Sequence, residues 1–496
     1  MSETGALLDL LQRRDDAPAL IDAASGQRLS HRGLREEVQR VADQLAGLGV
    51  GAGDRVGMVL ANSPRLVVAF LAIVSLGAAV APLNPAFSAG EVRGELEDLK
   101  VGFLLYGEPA TGAATEAASQ LGIPHAELTD VGGHVVIDGA TPVASTPQTD
   151  GNAIALLLHT SGTTSRPKTV PLAQRNLARS ARNVAATYQL GPDDVCYCVM
   201  PLFHIHGLVA AVLASLSAGG SIVIPPRFSA GEFWPNVKDY GATWYTAVPT
   251  IHHIVLQTCA DERHVGHKLR FVRSCSATLP PPLWREFESV IGVPLVEAYG
   301  MTEASHQMAS NPLPPGERRP GSVGQATGIE VAILDDDWRP VAPGISGEVS
   351  VKGASVVDGY LDNPEANAAS FRDGWFRTGD VGVLSDDGYL TLVGRIKEII
   401  NRGGEKISPY EVEAVLLEHP AVAEAAAYGA PDDKYGERVE AVVVPKSDVT
   451  AAELTAHCAS HLVGFKVPAS IAIRDAIPKG PTGKIQRRLL ADLVNS

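Results

Sequence analysis

Thr160 to Val170 reads TSGTTSRPKTV and follows, after His159, the apolar run Ile154-Ala155-Leu156-Leu157-Leu158. A short apolar run that gives way to small hydroxyl residues around a glycine predicts a buried strand opening into a loop. Such a loop suits a polyphosphate. Gly162 permits close backbone approach, and the hydroxyls of Thr160, Ser161, Thr163, Thr164 and Ser165 can surround phosphate oxygens together with backbone N–H groups, while Arg166 and Lys168 add positive charge. The spacing differs from the GxxxxGK[ST] P-loop, because no Gly-Lys-Ser/Thr follows Gly162 at the required distance. Pro167 interrupts the loop, Thr169 to Leu172 is expected as a short strand, and a helical pattern runs from about Ala173 to Tyr188.

Upstream, Pro18 to Asn84 alternates short strand, amphipathic helix, strand (Arg55 to Ala61), helix and strand (Ala79 to Leu83), the pattern of βαβ units and parallel sheet. Leu66 to Ala81 is the most membrane-like stretch, but it is short for a span and is cut by Gly77 and Pro82. Ser63 as N-cap, Pro64 at the first helical position and Gly77 as a stop predict a buried helix there instead. The order helix, glycine, strand returns at Leu208 to Ile224. Ala110 to Asp150, rich in Ala, Gly, Thr and Pro, reads as a peripheral or loosely packed connection. Downstream, Ile329 to Val351 has the short strands and turns of a β-rich subdomain, and beyond Leu392 a charged, glycine-dense segment leads into a compact αβ pattern. The expected fold class is α/β: a large N-terminal domain, 1–394, of parallel and mixed sheets with flanking helices and a β-rich subdomain at about 329–392, then a small mobile α+β domain, 395–496.

The chain has 496 residues, enough for roughly three domains by the length prior, and 45% hydrophobic residues supply its cores. A net charge of −15 argues against a nucleic-acid partner and against acidic membranes, so any anion site must be local. Five cysteines, Cys196, Cys198, Cys259, Cys275 and Cys458, form no CxxC pair, and MSETGALLDL carries Glu3 and Asp9 in place of a basic leader. A soluble cytoplasmic protein without a signal peptide or integral membrane association is expected.

Six stretches in order resemble the motifs of the AMP-forming acyl-CoA synthetases, the adenylate-forming superfamily. They are TSGTTSRPKTV itself, PLFHIHG from Pro201, EAYGMTE from Glu297, FRTGD from Phe376, GRIKEIINRGGEKISPYEVE from Gly394 and PKGPTGKIQR from Pro478. Thr169 stands where the family usually has glycine, and Phe376 replaces the more frequent tyrosine. The resemblance implies ATP, Mg²⁺ and coenzyme A. It assigns the nucleotide to Thr160, Ser161, Gly162, Thr163, Thr164 and Lys168, to Ser276, Ala277, Glu297, Ala298, Tyr299 and Thr302, and to Asp380, Arg395 and Lys484. In it Tyr299 offers a flat face to adenine, Glu303 with Thr164 serves Mg²⁺, and Asp380 accepts the two ribose hydroxyls with Arg395 as cationic companion. Lys484 corresponds to the adenylation lysine, whose ammonium meets charge developing at the α-phosphate as pyrophosphate leaves. A thiol must later reach the acyl carbon from where Lys484 had been. Rotation of the small domain about a hinge at Lys397, with Gly403 and Gly404 laid along pantetheine, solves that access problem.

His204 resembles the family histidine beside the reacting carboxylate. The His204/His206 pair lacks a following Cys/His/Asp group at metal spacing, so zinc is not expected. Around the acyl pocket, Cys275 and Ala298 stand where glycine is common, and Ser305-His306 replaces a small apolar pair, which leaves a narrow, polar space. His204, His206 and His306 with Ser274 suit a second carboxylate, held by charge-assisted bonds from imidazolium. Together HTSGTTSRPK and EAYGMTEASHQMASNPLP resemble the oxalate:CoA ligase branch and imply oxalate or another very short dicarboxylate. The alternatives are a short- or medium-chain monocarboxylate, another dicarboxylate, or a stand-alone adenylation enzyme with another acceptor. A phosphotransferase would want a P-loop or kinase motif. An amino-acid adenylation domain would want an acidic residue to receive the α-amino group, and no carrier-protein domain is expected beyond Ser496.

Overall fold

The computed structural model describes residues 5–11, 14–160, 167–259, 264–480 and 484–495. Among these, two large sheets share one apolar core. A seven-stranded sheet runs in the order His134–Ile137, His125–Val131, Phe103–Tyr106, Arg55–Val59, Ala79–Pro82, Ile154–His159, Thr169–Ala173. A nine-stranded sheet runs from Gln325–Ala326 through His306–Ser310, Leu295–Met301, Phe271–Ser274, Trp244–Ala247, Val195–Tyr197 and Ser221–Ile224 to the hairpin Pro18–Asp22 and Arg28–Ser30. The central strands of both are parallel, and antiparallel pairing appears toward the edges. The expected α/β architecture is therefore present.

Why two sheets pack as one body is visible in the helix Pro64–Ser75. Ser63 caps it, its hydroxyl accepting the Leu66 N–H, Pro64 opens it, and Gly77 follows at φ +75°. From Leu66 to Ser75 every residue is buried, as a helix with sheet on both sides requires. One apolar cluster joins this helix to Val80, Leu105 and Leu156 of the first sheet and to Ile222, Trp244 and Val296 of the second. The outer faces carry their own helix layers, Ala89–Asp98 and Thr111–Leu121 on one, Ala230–Asp239, Pro249–Gln257 and Pro281–Ile291 on the other. No helix among the described residues is long and apolar enough to cross a membrane.

One stretch differs from expectation. Ala110 to Asp150 is not a loose connection over its first half, because Thr111–Leu121 is helical and His125–Val131 and His134–Ile137 extend the sheet. Ala114, Ala117 and Ala118 are fully buried, so the alanines that suggested a weak linker are the small side chains that let this helix lie close to the sheet.

The chain then builds an antiparallel sheet from Glu330–Leu334, Gly347–Lys352, Trp375–Leu384, Phe371–Arg372 and Leu390–Arg395. Its last strand ends at Arg395, directly opposite Asp380. A single 3₁₀ turn, Ile396–Glu398, leads into the C-terminal unit. There Glu405–Ile407, Ile400–Arg402, Gly436–Pro445 and Val422–Asp432 form a sheet with Ser470–Ile473 added, covered by Pro409–Glu418 and Ala451–His461. All five cysteines are buried.

Candidate active site

Of the residues singled out in the sequence, Ser274 to Ala277 and Tyr299 to Glu303 lie at the carboxyl ends of parallel strands of the nine-stranded sheet, where open α/β sheets place ligands. Ser274 ends one strand, and Tyr299 to Met301 end the next. Three residues with side chains adopt positive φ there: Ser276 (71°), Ser305 (55°) and His306 (111°). Such backbone costs about 1–3 kcal/mol each and clusters at ligand sites. Gly300 is required by this geometry, since a Cβ would come within 2.1 Å of the His306 carbonyl oxygen. A separate cavity of about 300 Å³, bordered by Arg55, Gly77 and Asp150, contains none of the predicted site residues.

Asp380 is held on both sides. Tyr299 donates its hydroxyl to one carboxylate oxygen, and the Arg395 guanidinium meets the other at 2.9 Å. The half-buried Lys484 lies close enough to feel both Asp380 and Arg395. Burial lowers its pKa, Arg395 adds to that, and Asp380 and Glu398 oppose it. Around it Arg487 bonds Glu413 at 2.6 Å and Glu398 at 3.2 Å, which ties the C-terminal segment to the turn after Arg395. Lys484 is thus brought to the pair predicted to hold the ribose.

Glu303 is buried and accepts the Tyr360 hydroxyl at 2.9 Å. Burial raises its pKa, against the Tyr360 bond and the charges of Arg395 and Lys168. Lys168 sits 4.4 Å from the centre of the Tyr360 ring. A carboxylate short of solvation is a fit for Mg²⁺, which takes hard oxygen donors and is commonly held by one or two carboxylates plus phosphates. Thr160 donates its N–H to the Lys168 carbonyl at 3.0 Å. Ser161, Gly162, Thr163, Thr164, Ser165 and Arg166, the heart of the expected phosphate loop, lie outside the described residues.

Glu297 is turned into the protein, where it accepts the Leu279 N–H at 3.2 Å and burial pushes its pKa up to about 8. It braces the segment carrying Ser276 and Ala277. Ala298 is buried within the strand, and Thr302 is half-buried on the turn after it. Lys397 is exposed on the 3₁₀ turn, near enough to Lys168 for its charge to be felt there. Gly403 and Gly404, at φ +62° and +96°, make the exposed tip of the hairpin Ile400–Arg402 and Glu405–Ile407. They lie apart from the Asp380–Arg395 pair in the strand order.

His204, half-buried, opens the segment in which His206–Leu213 forms a π-helix, a rare form that marks functional sites. The His206 and His306 rings lie 4.9 Å apart. His206 contacts Ser276 Oγ at 3.1 Å and Thr246 Oγ1 at 2.6 Å. Ser274 and Cys275 are both fully buried beside them. The expectation that imidazolium supplies positive charge here is corrected by the structure: burial lowers His204 to about 4 and pushes His206 and His306 well down. The rings are neutral, and the cation is Arg273. Its guanidinium is fully buried, bonded to Tyr188, Gln307, Thr246, His206 and His306.

Sequence reasoning missed Arg273, Thr246 and Tyr360. Arg273 left a signal, a lone charge in a strand whose other residues are built for burial. Thr246 and Tyr360 left none, because only the fold brings them to His206 and Glu303.

Comparison with known proteins accords with this geometry. A family model described as AMP-binding enzyme matches residues 9–361, and one described as AMP-binding enzyme C-terminal domain matches 411–484. An oxalate–CoA ligase of Arabidopsis thaliana is 47% identical, covering 98% of this chain and 98% of its own. An oxalate–CoA ligase of Saccharomyces cerevisiae is 41% identical, covering 88% and 86%. The ATP-bound crystal structure of MatB from Rhodopseudomonas palustris superposes with a TM-score of 0.90 at 30% identity, covering 100% of this chain and 99% of that one. On the match of its body, its C-terminal segment and its whole length, the chain belongs to the AMP-binding enzyme family.

Proposed function

We propose that this protein joins a small carboxylic acid, oxalate foremost, to coenzyme A, with ATP converted to AMP and pyrophosphate. The observation that carries the reading is the meeting of Lys484, from the C-terminal segment, with Asp380 and Arg395 of the preceding sheet. That arrangement suits the first half-reaction. Asp380, already oriented by Tyr299 and Arg395, accepts the ribose hydroxyls. A carboxylate oxygen of the acid attacks the α-phosphorus, the bond to the pyrophosphate oxygen breaks, and Lys484 and Arg395 meet the charge that develops. Glu303 would hold Mg²⁺, which would neutralise phosphate charge. The second half-reaction needs sulfur at the acyl carbon, with AMP leaving. Lys484 obstructs that approach, so the C-terminal unit turns about Lys397 and carries the Gly403-Gly404 tip toward the thiol's pantetheine arm.

Oxalate is supported by the polar cluster of neutral imidazoles and hydroxyls backed by one buried cation, and by the oxalate–CoA ligases among the relatives. An alkyl chain would leave those buried polar groups without partners, the feature that gives strong discrimination. The test is a panel of short mono- and dicarboxylates with ATP, Mg²⁺ and coenzyme A. Oxalate is expected to give the highest kcat/KM, with AMP as the nucleotide product. Comparable values for oxalate and octanoate would end the oxalate reading, and ADP as product would end the ligase reading.

A further inference from the structure

Arg273 stands at the centre of the polar cluster, and no carboxylate among the described residues pairs with it. Its hydrogen-bond partners are Tyr188 Oη at 3.0 Å, Gln307 Oε1 at 3.1 Å, Thr246 Oγ1 at 2.9 Å, His206 Nε2 at 3.3 Å, His306 Nδ1 at 3.3 Å and the Cys275 side chain, none of them a carboxylate. We propose that Arg273 is a positioning residue that fixes the tautomers of His206 and His306, and so makes the pair a rigid donor set for an anionic acid.

A guanidinium has only N–H groups to offer, so every atom it touches must accept. His206 Nε2 therefore carries no proton. Thr246, which takes one N–H from Arg273, passes its own hydrogen to the same nitrogen across 2.6 Å. The His206 proton is left on Nδ1, where it donates to Ser276 Oγ at 3.1 Å. His306 Nδ1 likewise accepts, which puts its proton on Nε2. Of the four ring nitrogens, His306 Nε2 alone has no partner among the described residues, and the residue is 2% exposed. Ser274 Oγ, on the strand of Arg273, is buried and also without a partner there. A buried N–H of this kind is costly to leave unmet, and a carboxylate oxygen meets it.

The same contacts keep the rings uncharged, because a second ring proton would oppose a guanidinium N–H. His206 faces Arg273, His306, His204 and His252, and His306 faces Arg273 and His204. None of these is an acid. The anionic substrate thus meets fixed donors whose outer ends rest on a permanent cation, an arrangement suited to a second carboxylate. This last step rests on the oxalate reading above, while the tautomer assignment does not.

The direct test is a set of long-range proton–nitrogen NMR spectra of the full-length enzyme labelled with ¹⁵N-histidine, recorded from pH 6 to 8. His206→Gln and His306→Gln assign the two rings. The expected spectra show His206 protonated at Nδ1 and His306 at Nε2, with no titration over that range. Either ring in the other tautomer, or titrating near the ordinary histidine value, overturns the proposal whichever acid is used. In kinetics, Arg273→Met is expected to raise the KM for oxalate by about tenfold or more while kcat falls by less than about threefold and the KM for acetate stays within about twofold. Equal losses for both acids would overturn it. If Arg273→Met does not fold, the wild-type spectra still decide. A wild-type enzyme that prefers acetate would refute the oxalate reading alone.

Discussion

Lys484 and Asp380 are the two residues on which the proposed adenylation most depends, and Asp380 is held in place by Tyr299 and Arg395. In the proposed mechanism Lys484→Ala removes the cation that meets charge as pyrophosphate leaves, so adenylate formation should fall by about 10²- to 10³-fold with folding intact, measured as pyrophosphate release. Asp380→Asn keeps the shape but weakens the acceptor proposed for the ribose hydroxyls and removes the charge that Arg395 meets at 2.9 Å. The KM for ATP should rise by about ten- to a hundredfold, with a smaller change in the KM for the acid. At this scale the sequence marked Glu303, Asp380 and Lys484 as candidates because each sits inside a contiguous motif. It was silent on Tyr299 as a hydroxyl partner of Asp380 and on Thr246 as a partner of His206, since both pairings join residues far apart in the chain. The charge in the acyl pocket was assigned to the wrong residue type, because histidine titration depends on burial and burial is not written in a motif.

Elements were more legible than residues. The helix Pro64–Ser75 and the strand Ile154–His159 follow from capping chemistry and apolar runs, both local. The sheet strands between His125 and Ile137 were missed although burial alternates along both, because the Ala, Gly, Thr and Pro residues around them read as a loose connection. Burial within the nine-stranded sheet also sets how stability depends on pH. His252, fully buried behind the strand Trp244–Ala247, is lowered from 6.5 to about 3, so the unfolded chain binds its proton first. Its contribution is present above 6.5 and lost as pH falls toward 3. Glu297 runs the other way: raised from 4.5 to about 8, it stays protonated in the fold while the unfolded chain ionises, so stability declines as pH rises from 4.5 to 8. Above pH 6.5 only the second of these acts. Glu297→Gln keeps an acceptor for the Leu279 N–H and removes the titration. Thermal unfolding of this variant should lose the decline between pH 6.5 and 8 that the parent shows, and an unchanged decline would contradict the assignment.

For the molecule as a whole, the consequential feature is the single 3₁₀ turn Ile396–Glu398 between the last strand of the antiparallel sheet and the C-terminal unit. Beyond it Arg487 ties the C-terminal segment to Glu398 of the turn and to Glu413 of the helix Pro409–Glu418. Within the C-terminal unit, Lys479 pairs with Glu424 at 2.7 Å. Lys397→Pro stiffens the turn. It should slow thioester formation by about tenfold or more while pyrophosphate release from the first half-reaction changes by less than about threefold. Equal slowing of both would argue against rotation about this turn. The measurement closest to the central claim is product analysis after incubating the protein with oxalate, ATP, Mg²⁺ and coenzyme A. AMP, pyrophosphate and the oxalyl thioester are expected in equal amounts, none of them formed at the parental rate by Lys484→Ala. ADP in place of AMP, or full turnover without the Lys484 ammonium, would contradict it.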